Sequence, residues 1–429
     1  LDRIGEKLIQ EVVRRWCNRH STDGIWLMSI TIAAFLAAML ATGMSSAISH
    51  PLTMVGGCAV SLLMAGFAIV RPDTRVHGLF IFCSVGMAVL ALVSAEANYC
   101  AETSTIHVVC CYLALLAMGF SSPHLSSFCR QTMLFTNVWL TAWVIFFGTR
   151  AEVFEAWKIS NPAGAANLMA AQINMTMPLV IAGVVSGGVV RRCAFGVLLG
   201  LNVLSVFLVM SRNGIGSMLA LLLLYVTFNF KRLSVFVISP VLFVVMFPEY
   251  FLQNPAIHAL LVRFRFVGYN PAAPRSLIWD VALQHITQRP MLGVGPGKTK
   301  VALAVLDINH AHNNVIQVAI ETGIPAAVLY VLMTAALLML PAMALFRERN
   351  VFLPTLGILA YVAYSLTAGP LVYPNATLLL AACVNQARVA GYAVRGRAEV
   401  PDVRGRGAVR GSYRVAHSGV NPRFQRSAG

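Results

Sequence analysis

The chain has 429 residues, 58% of them hydrophobic and 11% charged, with a mean hydropathy of +0.73. A water-soluble domain carries about a quarter of its residues as charges, so this composition excludes an ordinary soluble enzyme and points to a membrane protein. The net charge of +16 does not indicate nucleic acid as a partner, because nine of the arginines are gathered after residue 387.

A bilayer core about 30 Å thick requires about 20 apolar residues per helical span. In chain order, residues 1–23 form a charged amphipathic segment with no small-residue cleavage pattern, read as cytoplasmic and not as a removable signal. Residues 24–248 hold nine apolar stretches, near 25–48, 51–70, 78–95, 106–122, 132–149, 168–189, 193–210, 214–230 and 233–248. Residues 249–323 are too polar to span, and 324–387 hold three more stretches, near 324–346, 352–369 and 373–387. None of these stretches contains Asp, Glu, Lys or Arg. The expected fold is an all-α polytopic membrane protein of about 12 transmembrane helices. Residues 388–429 form a basic Gly- and Arg-rich tail with little to bury, expected to be disordered and to meet membrane lipids through anionic head groups.

Alternate short connections carry Arg71, Arg75, Arg130, Arg191, Arg192, Lys231, Arg232, Arg347 and Arg349, whereas the opposite ones hold Arg150, Lys158 and Arg212. Basic residues mark the cytoplasmic side, so both termini are expected there and 249–323 outside. The cysteines fall mostly within or beside spans, as small apolar residues do, and offer no external disulfide pair.

Long ordered loops are usually functional. In 249–323, Leu277, Ile278, Val281 and Ile286 recur at helical spacing and Pro290 stops the run, which predicts a loop helix. The following "GVGPGKT" (293–299) lacks the leading glycine of a phosphate-binding P-loop, since position 292 is Leu, and reads as a tight turn. His310 and His312 could bind a metal only with Asp307 or Glu321 as a further ligand, and two such histidines rarely suffice, so no metal is expected.

If 312–323 is helical, Asn313, Gln317 and Glu321 share one face. A polar stripe at membrane depth must meet a water-filled cavity or another polar surface. His312 heads that segment, and its ordinary pKa near 6.5 suits proton transfer. Arg212, in a tight outer connection, and Arg275, at the start of the loop helix, offer planar charged forks suited to phosphate oxygens. With Arg263, Arg265, Arg289, Lys298 and Lys300 they outnumber Glu249, Asp280 and Asp307 on the outer side, so an anionic ligand is expected there.

"HNNVIQVAIETG" (312–323) resembles the His-Asn, nine residues, Gly pattern of the O-antigen ligase family and its sister O-antigen polymerases. "SRNG" (211–214) and "RSLIWDVALQHITQRPMLGVGPG" (275–297) resemble that family's other signatures. One departure is that Gly323 is followed by Ala326 where the family often has a second glycine. The resemblance implies a GT-C-like membrane body with one large periplasmic loop region between spans 9 and 10. It also implies an inner-membrane glycosyltransferase that takes a glycan from undecaprenyl diphosphate and joins it to a sugar hydroxyl of lipid A-core in lipopolysaccharide assembly. On that pattern His312 is the catalytic base, Arg212 and Arg275 hold the diphosphate, and Asn313, Gln317 and Gly323 support them; no cofactor is implied. The polymerase, and a protein O-oligosaccharyltransferase using the same donor, remain open. A lipid-linked sugar transporter is opposed by the charge-free spans.

Overall fold

A computed structural model describes residues 74–148, 165–186, 188–209, 211–229, 275–306, 308, 310–347, 349–367 and 374–398, with a few positions between 59 and 66. The segment 1–23, the spans near 25–48 and 233–248, most of 51–70, Arg263, Arg265, Asp307 and the tail from 399 lie outside the described residues. Helix dominates. The helices are α1 (Gly78–Ala97), α2 (Glu102–Ala114), α3 (Pro123–Gly148), α4 (Ala165–Ser186), α5 (Val189–Leu208), α6 (Arg212–Asn229), α7 (Arg275–Gln288), α8 (Thr299–Ala302), α9 (Asn314–Thr322), α10 (Ile324–Arg347), α11 (Arg349–Ser365) and α12 (Pro374–Ala398).

Among the described residues, five stretches are long and apolar enough to cross a membrane: Gly78–Ala97, Glu102–Gly119, Asn167–Ser186, Val189–Leu208 and Ile324–Met343. They mark a helical membrane protein. The stretch on α4 is 72% buried and that on α5 only 17%, so α4 is the central helix and α5 a peripheral one. Around α4 pack α3, α5, α6, α11 and α12, while α1 packs on α2 and α10. Gly357 of α11 lies where a Cβ would stand 2.5 Å from the Met175 carbonyl of α4, so the missing side chain sets how closely these two helices approach. Polar groups inside the bundle are bridged between helices, as when Asn137 of α3 donates to Thr176 of α4 at 2.9 Å. Where no water competes, such pairs replace the hydration each group has lost.

Two features depart from the sequence expectation. The stretch near 106–122 is not one helix: α2 tightens into a 3-10 turn at Leu115–Gly119, then Phe120–Ser121 (β2) pairs antiparallel with Arg75–Val76 (β1). His77 fixes this corner, its Nε2 standing 3.0 Å from Ser121 Oγ. The second departure is the boundary at 387, which falls inside α12. Arg388 stays helical because it is 6% exposed, donates to the Met118 carbonyl and sets its guanidinium 4.5 Å above the Phe80 ring. Such an arginine is held by its stem and by cation–π attraction. Burial, with Arg388 and Arg75 nearby, lowers the His77 pKa to about 4.

Candidate active site at one end of the bundle

The opposite end of α1 meets the loop region. Ser94 donates to the Glu321 carbonyl at 3.1 Å, and Asn98 Nδ2 reaches the Gly293 carbonyl at 3.4 Å. The glycine-rich turn threads between α1 and α9. Val294 N and Gly295 N donate to the Ile320 and Glu321 carbonyls at 2.7 and 3.0 Å, and Ile324 N donates to the Pro290 carbonyl at 2.7 Å. Gly293, Gly295, Gly297 and Gly323 all have positive φ. At Gly323 (φ 93°) an added Cβ would lie 2.2 Å from the Met291 carbonyl oxygen. Here glycine serves backbone freedom, as read from the sequence for 293–299, and close approach, which the sequence did not show.

Helix α9 begins at Asn314, not at His312 as expected, because Asn313 is its cap. Asn313 Oδ1 accepts from Val315 N at 2.9 Å and Ile316 N at 3.2 Å, satisfying two of the donors that a helix start leaves over. His312 therefore precedes the helix and takes a left-handed backbone, φ 55°. That conformation is uncommon for a residue with a side chain. Its ring meets that of His310 edge-on, with centroids 3.9 Å apart. Burial, then His310, then Arg275 lower the His312 pKa to about 3, so the imidazole is neutral at physiological pH and has a proton-accepting nitrogen.

The expected polar stripe splits. Asn313 caps, while Gln317 and Glu321 are buried and meet other protein groups. Gln317 Oε1 accepts from Ala311 N at 2.9 Å, and its Nε2 donates to Thr299 Oγ1 at 2.7 Å and to Glu321 Oε1 at 2.6 Å. The residue just before His312 is thus held by its N–H, which lies in the His310–Ala311 peptide. Its carbonyl is held as well, by Trp279 Nε1 at 3.0 Å. Among the described residues no three His, Cys, Asp or Glu converge on one point.

Trp279 places the first arginine. It stands one helical turn from Arg275, on the same face of α7, so docking Trp279 on Ala311 brings Arg275 to the histidine loop. Its positive charge is felt at His312. The second arginine opens α6. Ser211 caps this helix by accepting from Gly214 N at 3.0 Å and ties it to α4 by donating to Asn167 Oδ1 at 2.7 Å. One turn after α11 touches both neighbourhoods: Leu366 O accepts from Asn313 Nδ2 at 3.4 Å, and Thr367 O from Asn213 Nδ2 at 3.5 Å. The backbone at Arg212, the start of α7 and the histidine loop therefore share one end of the bundle.

Residues 195–331 match the family model described as O-antigen ligase. The chain carries an O-antigen ligase region. That region runs from within α5 into α10 and holds Arg212, Arg275, His312, Asn313, Gln317 and Gly323. The match supports a family member of the O-antigen ligase and polymerase type. A comparison with curated proteins gives no match. The sequence reading of this O-antigen ligase region missed Thr299 and Trp279, whose contacts join residues 18 and 32 positions apart. The cap at Asn313 had a legible signal, an Asn immediately before an amphipathic run.

Proposed function

We propose that this protein is an inverting, metal-independent glycosyltransferase that moves O-antigen glycan from undecaprenyl diphosphate to a sugar hydroxyl of lipid A-core. The observation that carries this reading is the placement of His312, held out of the helix ahead of its Asn313 cap and within the field of Arg275, at the end where α6 begins. His312 accepts the proton of the acceptor hydroxyl as its oxygen bonds to the anomeric carbon. The bond from that carbon to the diphosphate oxygen breaks, and its electron pair leaves with the diphosphate. Arg275 and Arg212 stabilise the charge that develops there, a task for fixed cations. Burial is the main cause of the low His312 pKa, and a bound diphosphate relieves the smaller part that comes from Arg275. Asn313 and Gln317 keep the histidine in place, and Gly323 lets the glycine-rich turn lie against α9.

This reading keeps about 12 spans, a GT-C-like body and an active site on the periplasmic face of the bacterial inner membrane, with the large outer loop region 249–323 between spans 9 and 10. It is supported by the basic residues of the short loops and by the family match. Reconstitution with lipid-diphosphate glycan and lipid A-core, with and without chelator, tests it. Transfer to lipid A-core that survives chelation is expected. Polymer formed without lipid A-core would assign a polymerase instead, and transfer only to protein would assign an O-oligosaccharyltransferase.

A further inference from the structure

The carboxylate of Glu321 has no part in the chemistry proposed above, yet it is 7% exposed beneath the histidine loop. Its Oε1 accepts from Gln317 Nε2 at 2.6 Å and from Thr299 Oγ1 at 2.7 Å. The same Gln317 amide donates its second hydrogen to Thr299 Oγ1 at 2.7 Å. The Gly297 backbone also bonds to this carboxylate. A primary amide looks nearly alike from its two ends, and only the groups around it decide which end faces which neighbour. Burial pushes the Glu321 pKa up and the bonds to its carboxylate oppose the shift, but in either protonation state Oε1, which also accepts from Thr299, takes the NH2 end of Gln317. The oxygen end must then point at Ala311 N, 2.9 Å away.

We propose that Glu321 and Thr299 are positioning residues that fix the amide polarity of Gln317, and through it the His310–Ala311 peptide and the backbone that leads into His312. Were Gln317 reversed, its NH2 would face the Ala311 N–H, donor against donor. Trp279 holds only the next peptide, through the Ala311 carbonyl, so the reversal would turn Ala311 about that bond and shift the chain on both sides of it, His310 and His312. His312, at φ 55°, depends on this hold because its backbone conformation is not one a side chain favours.

The inference rests on His312 being the base, and the experiment separates the two claims. Full-length protein in lipid vesicles is assayed for kcat and KM with undecaprenyl diphosphate glycan as donor and lipid A-core as acceptor. The variants are Glu321→Gln, Thr299→Val, the exchange Gln317→Glu with Glu321→Gln, and His312→Ala. Glu321→Gln lets the amide of Gln317 turn, so kcat should fall about 10- to 100-fold, the scale of a misplaced catalytic group, with donor KM little changed. Thr299→Val should lower kcat in the same sense. The exchange restores an acceptor facing Ala311 N and keeps one carboxylate in the cluster, so it should recover most of the loss. A cluster that only stabilises the fold would lower the melting temperature and leave kcat intact well below it, and this result would overturn the proposal. So would an exchange variant no better than Glu321→Gln. If Glu321→Gln does not fold, Thr299→Val and the exchange decide by the same criteria. Normal turnover by His312→Ala would instead sink the base assignment.

Discussion

Replacing Gly323 by Ala probes the joint between the glycine-rich turn and α9. The backbone at Gly323, φ 93° and ψ 171°, lies in a region that only glycine enters readily. A methyl group there would meet Met291 O at 2.2 Å, Met291 C at 2.4 Å and Leu292 N at 2.8 Å. All three are backbone atoms, so no side chain can swing aside. The dihedral strain costs about 1–3 kcal/mol. Separating the two segments also weakens the bonds from Val294 N to Ile320 O, from Gly295 N to Glu321 O and from Ile324 N to Pro290 O, each worth about 1 kcal/mol. The sum is about 4–6 kcal/mol if the turn moves away completely. Thermal unfolding in detergent, read beside transfer activity, should show a clear loss of stability and at least a tenfold loss of turnover. A Gly323→Ala protein with wild-type melting temperature and turnover would refute the claim that this contact holds the site together.

Asn313→Ala removes the cap of α9 and should cost about 1 kcal/mol by thermal unfolding, with Asn313→Asp, which keeps the acceptor, much milder. Because the folded pKa of His312 is about 3, kcat/KM should show no acid limb near 6.5; a limb centred there would mean that the base is an ordinary exposed histidine. The same depression makes the unfolded chain bind the extra proton first, so the stability linked to His312 is complete above pH 6.5 and is lost as pH falls towards 3. His312→Gln should accordingly flatten the acid side of the stability profile. Arg275→Lys keeps the charge but loses the two-pronged fork, so donor affinity and transfer should both fall, and wild-type values for both would remove Arg275 from the diphosphate site.

Hydropathy located the described spans well: the stretches near 78–95, 168–189 and 324–346 correspond to α1, α4 and α10 within a few residues. Periodicity with the stop at Pro290 placed α7, which spans Arg275–Gln288. These features are local, set by bilayer thickness and by the side chains of each segment. The paired strands at Arg75–Val76 and Phe120–Ser121 are too short to show any alternation. The charges that ended the last apolar stretch suggested a free tail, yet Arg388 finds a carbonyl and an aromatic face in other segments. At the site, the His-Asn-Gly spacing pointed to the loop that the structure builds around Ala311 and His312. The partners of the stripe were not legible. Gln317 and Glu321 share a helix face, but that the face meets Thr299 and Ala311 and not open solvent is decided by tertiary packing of the glycine-rich turn.

The central claim is that His312 performs the proton transfer, and the most direct measurement is transfer beside donor binding for His312→Ala and His310→Ala. General bases typically contribute about 10²–10⁴ in rate. His312→Ala should lose turnover on that scale while still binding undecaprenyl diphosphate glycan, and His310→Ala should be far milder. Normal turnover by His312→Ala, or a defect confined to donor binding, would contradict the account.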